Sequence, residues 1–233
     1  MPSPYDWSGY PLGARAAFCA AGAVNSASFV GFGALLNSVG YGLFDGLLTV
    51  PFMWALPGQV VYIDGVMKGL SVFAIFAAVT ATAVRLLPMT VLVLPKARMP
   101  GGARWLDFLL AHFTALTMWI MATALIDGIE RPKRLPWLIG LGSTLMALNA
   151  ISTVVGYELA SRLPVPVAMA MVFLTPAFFG LSLIAGAKHK ADYLAILFGA
   201  VLGPLAYRVA PQFDLVIAGL IGGTAAFVIG QRR

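Results

Sequence analysis

Charge is scarce in this sequence. Only 10% of its 233 residues are Asp, Glu, Lys or Arg, while 60% are hydrophobic; soluble domains carry about 25% charged residues. So little charge cannot cover a water-exposed surface, which excludes an ordinary soluble domain. Lipid tails, by contrast, solvate an apolar exterior. Cysteine is nearly absent as well, and the single Cys19 rules out an intrachain disulfide framework or a cysteine-based metal site. The sequence holds no metal cluster and no nucleotide-binding loop. The glycines from Gly219 to Gly223 lie in an apolar run without the following lysine that a phosphate loop needs. No cofactor is expected. An enzyme is not expected either, because His112 and Glu158 are the only acid–base candidates of the kind a membrane-embedded enzyme would pair.

What the chain does have is long apolar runs. Mean hydropathy is +0.90, and a spanning helix needs roughly 20 apolar residues, so the length admits about seven or eight transmembrane helices and little else. The expectation is an all-α integral membrane protein, with residues 1–233 as a single polytopic domain. Its apolar segments run Ala16–Val39, Leu47–Ile63, Gly69–Leu94, Trp105–Ile126, Leu138–Leu163, Val165–Ala187, Tyr193–Val209 and Phe213–Ile229. The first is read as a retained span, not a cleaved signal peptide. Ahead of it, Tyr5, Trp7 and Tyr10 suit an interfacial anchor.

The net charge of +6 sits in short basic blocks between apolar runs, the pattern of topology and not of nucleic-acid binding, which needs a contiguous basic face. Counting alternate sides of eight crossings puts Arg15, Lys68, Arg131, Lys133, Arg134, Lys188, Lys190, Arg232 and Arg233 together. Lys96, Arg98, Arg104, Arg162 and Arg208 fall on the other side. The richer side should be cytoplasmic, giving an inner-membrane protein with its carboxyl terminus inside. If the second segment is re-entrant, the amino terminus moves outside.

Some segments are not simple rods. The second contains Pro51 and then Pro57-Gly58-Gln59; the sixth follows Pro164 and contains Pro166 and Thr175-Pro176. Proline removes a backbone donor, and the freed carbonyls are tolerated in a bilayer only beside protein or a wet cavity. Broken or re-entrant helices at matched places in two related halves point to a midplane transport site. The alternative reading is of plain proline kinks.

The stretch Gly33-Ala-Leu-Leu-Asn-Ser-Val-Gly40, followed by Asp45, Leu47-Leu48 and Gln59, resembles the AzlC-type branched-chain amino-acid permeases. That family has a Gly-Ala-Leu start, a second glycine seven residues on, an acidic residue, a Leu-Leu pair and a closing glutamine. Its Asn-Leu-Arg-His motif falls on Ala83-Val-Arg-Leu86, where Arg85 matches and the asparagine and histidine do not. The family's serine ahead of the glutamine falls on Val50, and its Asp-Glu pair on Ala115-Leu116. The resemblance implies an exporter of branched-chain or other hydrophobic amino acids, working with a much smaller AzlD-like membrane subunit. A non-transporting scaffold or assembly subunit is the alternative.

Candidate site residues follow from polarity at depth. Arg85 must be solvated by something other than lipid, and its planar fork suits a substrate carboxylate; pairing with Glu158 or snorkelling would also satisfy it. Gln59 beside the Pro57-Gly58 break offers an amide for an amino acid, or for the broken backbone itself. Asn25, Ser26 and Ser28 lie among Gly22, Gly31 and Gly33, where helix packing is a sufficient reason for small residues. Asn149 sits centrally in the fifth segment. Glu158 is a candidate proton carrier, although Arg162 at i+4 offers it a helical ion pair, and His112 is a buried histidine able to titrate near neutral pH.

Overall fold

The computed structural model describes residues 4–160, isolated positions between 162 and 187, and residues 189–209 and 217–231. Among these every regular element is helical. The elements are α1 (Gly9–Ala16), α2 (Ala20–Ser38), α3 (Leu43–Phe52), α4 (Leu56–Met67), α5 (Val72–Ala83), α6 (Leu86–Ala97), α7 (Arg104–Phe113), α8 (Leu116–Leu125), α9 (Arg131–Leu159), α10 (Lys190–Val209) and α11 (Gly223–Gln231). A 3₁₀ turn, Ile126–Gly128, precedes α9, and a π turn, Ala218–Gly222, precedes α11. Two helices, α9 and α10, are individually long and apolar enough to cross a membrane; counting each bent pair as one span raises the number to five.

The frame is α1, α2 and α9. Pro132 in the first turn of α9 costs nothing, because its missing N–H would be unpaired there anyway. α1 and α2 run parallel to α9, joined at a 63° bend where the Cys19 sulfur accepts from Gly22 N–H. Their backbones touch through glycine. Gly13 lies on the Trp137 carbonyl, Gly33 on the Thr153 carbonyl and Gly156 on the Val30 carbonyl, with no room for a Cβ at any of them. At one end of this frame, the near end, Asp6 N–H bonds the Pro132 carbonyl. At the far end Asn37 donates to the Tyr157 carbonyl.

The chain between α2 and α9 makes one crossing and two hairpins. α3 and α4 leave the far end and return to it. The turn before α3 uses Gly40 at φ +71°, a left-handed conformation that glycine adopts without strain, and Tyr62 on α4 comes back to hydrogen-bond Tyr41. Burial and that bond push the Tyr41 phenol up to about 12. α5 packs antiparallel on α4, Gly58 facing Thr82 and Gly65 facing Ile75, and α6 continues it to the near end. There Lys96 pairs with Asp127 at 3.2 Å. α7 and α8, bent by 112°, therefore leave the near end and return to it.

Three expectations change. Tyr5 is buried, its hydroxyl accepting from Met99 N–H, so the opening segment packs into the bundle while Trp7 and Tyr10 are exposed. The third and fourth segments are broken, not continuous. Because α7–α8 returns on itself, Lys96, Arg98 and Arg104 share an end with Arg131, Lys133 and Arg134. The alternating count had separated them. Thr175-Pro176, Lys188, Arg232 and Arg233 lie outside the described residues, as does most of the sixth segment.

Candidate functional site

Each of the three units between α2 and α9 is broken near its middle. In α3–α4 the break is Met53–Ala55, ahead of Pro57-Gly58 rather than at it; Pro57 occupies the first turn of α4. In α5–α6 the helix bends by 48° at Val84–Arg85. The cause is Pro88, which lacks the N–H that would bond the Val84 carbonyl and whose ring crowds it; Leu87 N–H takes that carbonyl instead. In α7–α8 the break is Thr114–Ala115, both in extended conformation, with the Thr114 hydroxyl turned back onto the Leu110 carbonyl at 2.8 Å.

The three breaks meet. Trp54, Ala55 and Pro57 from the first, Arg85 and Leu86 from the second, and Ala115, Leu116 and Thr117 from the third line one cavity of about 30 Å³, room for about two water molecules. Asn25 of α2 and Asn149 of α9 close its frame side, with Phe29, Met118 and Leu145 as apolar walls. Asn25 Nδ2 donates to Asn149 Oδ1 at 2.7 Å, and Thr117 Oγ1 donates to Asn25 Oδ1 at 3.3 Å.

The lining residues come mainly from helix starts. α4, α6 and α8 each begin at the cavity, and none of the three has a side-chain cap on its N-terminal amides. A helix N-terminus carries roughly half a positive charge and presents unpaired N–H groups. Three such ends and Arg85 meet at this cavity, and no carboxylate is among its described lining residues. Such helix starts and a guanidinium are groups able to receive an anion. Trp54 also lines the cavity; its indole Nε1 is buried with no partner among the described residues, and its ring is held edge-on to Phe113, 6.1 Å between centroids.

Of the residues expected at the site, Asn25, Pro57, Arg85 and Asn149 come together at this cavity. Gln59 does not line it. It is 1% exposed, set one turn into α4, with no partner for Oε1 among the described residues. Gly58 faces Thr82 on α5, where a Cβ would meet the threonine hydroxyl at 3.1 Å, so it serves packing. His112 and Glu158 are exposed and away from the cavity. His112 is thus not the buried histidine expected, and among the described ion pairs none joins Glu158 to Arg162. Trp54 and Thr117 were missed from sequence; proximity of Trp54 to the Pro57 break was the one available signal.

A family model described as AzlC protein matches residues 22–163, a stretch containing every lining residue of the cavity. No curated protein and no solved structure matches the chain.

Proposed function

The chain belongs to the AzlC family, and from that premise we propose that it is the large subunit of a secondary transporter exporting branched-chain or other hydrophobic amino acids across the inner membrane. The family is associated with branched-chain amino-acid transport. The observation that supports the reading most is the convergence of three helix starts and Arg85 on one small cavity. A substrate carboxylate would sit among donors and positive dipole ends, with its aliphatic chain against Phe29, Met118 and Leu145.

A cavity of about 30 Å³ takes a carboxylate-sized group but not a whole leucine, so transport needs the walls to part. The two hairpins supply the means. α3–α4 closes the cavity from the far end and α7–α8 from the near end, and opening one at a time gives alternating access. Gln59 and Gly58 then belong to the moving hairpin, not to the binding surface.

Six basic residues, Lys96, Arg98, Arg104, Arg131, Lys133 and Arg134, collect at the near end, which makes that end cytoplasmic. Gly230 of α11 returns to Ala191 at the start of α10, and the lysines and arginines flanking those two positions in sequence outnumber Arg208, so the same rule puts the carboxyl terminus in the cytoplasm. A small apolar subunit of the AzlD type is the proposed partner. The test is flux of labelled leucine, valine and methionine into proteoliposomes holding the chain with and without that subunit. Saturable flux of at least one substrate is expected with both present. Flux absent from both preparations, with the proteins folded, sinks the proposal in favour of an assembly subunit.

A further inference from the structure

The loop between α6 and α7, residues 98–103, borders an open hollow of about 440 Å³ at the near end, lined chiefly by Arg98, Gly101, Gly102, Pro95 and Arg131. This hollow is separate from the transport cavity and shares no lining residue with it. The loop is built, not slack. Met99 N–H is held by the Tyr5 hydroxyl at 3.3 Å, Gly102 N–H bonds the Met99 carbonyl, and Gly101 turns the chain at φ +76°. These bonds fix the loop's shape beside Arg98.

The charges around the hollow are unequally satisfied. Lys96 pairs with Asp127, and Lys133 with Glu130 and Asp6. Arg134 is spent on the Ile129 and Lys96 carbonyls. Arg98 is oriented by Asp107, Nε to Oδ2 at 3.3 Å, a contact that engages one edge of its guanidinium. The Arg131 side chain has no ion pair or hydrogen bond among the described residues, yet it borders the hollow.

We propose that this hollow binds the phosphate of an anionic phospholipid. A phosphate takes paired donors from two guanidinium groups, and basic pockets between membrane helices hold such headgroups. The lipid source is favoured over free phosphate by what adjoins the hollow. Pro95 leads down α6 to a stripe of exposed apolar residues, Leu92, Val91 and Leu87, and Trp105 and Phe108 stand exposed on the first turns of α7. Acyl chains have a track that starts where the phosphate sits.

Native mass spectrometry of the full-length chain, released from micelles doped equally with phosphatidylglycerol and phosphatidylcholine, tests this. Wild type should retain phosphatidylglycerol at least about fivefold over phosphatidylcholine. The double variant Arg98→Gln/Arg131→Gln should lose that preference, Arg98→Lys/Arg131→Lys should keep part of it, and Lys96→Gln/Lys133→Gln should keep it in full. All should elute as wild type does on gel filtration. Equal retention of the two lipids by wild type overturns the proposal, as does a preference that survives in Arg98→Gln/Arg131→Gln. Inorganic phosphate at millimolar concentration should not displace the lipid; full displacement would make this a free-phosphate site and overturn the lipid assignment.

Discussion

Asn25 on α2 and Asn149 on α9 share a 2.7 Å side-chain hydrogen bond across 124 residues of sequence, and both line the cavity that receives Arg85. The bond therefore ties the frame together at the level of the site. Interhelical bonds of this kind average about 0.6 kcal/mol in a membrane protein and reach about 2 kcal/mol. Asn25→Ala or Asn149→Ala should lower stability by that amount while cutting amino-acid flux by more than about tenfold. A double-mutant cycle on unfolding should return a coupling of about 0.5–2 kcal/mol. Additive effects would mean that the two side chains do not cooperate.

Arg85→Lys keeps the charge at the cavity but loses the planar fork. Flux should fall by roughly tenfold or more with that change, a loss of about 1.4 kcal/mol in transition-state stabilisation. Arg85→Ala should abolish flux with the protein still inserted. Wild-type rates in both would return Arg85 to a structural or interfacial role.

Pro88→Ala restores an N–H able to take the Val84 carbonyl, which Leu87 N–H holds in the bend. Pro88 lies in the first turn of α6, where proline is tolerated, so the variant should change little in stability yet transport less, because a straight α5–α6 withdraws Arg85 from the cavity. Undiminished flux in the folded variant would detach the bend from function.

Cysteines placed at Pro100, Asp127 and Lys68 in a Cys19→Ser background report the two hairpins. An impermeant maleimide should label Pro100→Cys and Asp127→Cys from the same face of the membrane and Lys68→Cys from the other. Labelling of Pro100→Cys and Asp127→Cys from opposite faces would make α7–α8 a crossing.

The helical class was legible in composition, and the break near Pro57 in the residue type that causes it. Its position was not, because the chain unwinds at Met53–Ala55 so that Pro57 can sit in the first turn of α4, where it does no harm. Pro88 carried an equally readable signal for the bend at Arg85. The Thr114–Ala115 break had none: neither residue disfavours a helix strongly, and packing against Asn25 and the other two breaks decides it. Sequence could mark Asn25 and Asn149 as polar residues at depth. It could not pair them, since register between α2 and α9 is set by glycines whose backbone contacts become evident only once the helices are together.

The glycine-mediated seam of α2 against α9 also dictates an order of assembly. During synthesis at about 5–20 residues per second, residue 149 follows residue 25 by roughly ten seconds. Through that interval Asn25 is without Asn149, and Gly33 is without the Thr153 backbone it touches in the finished fold. α3 to α8 are thus made and threaded before the surface they enclose exists. Ribosome-bound chains ending before α9 should expose Asn25 and hold their first helix loosely, a window in which a chaperone or a membrane insertase has its natural hold on the nascent protein.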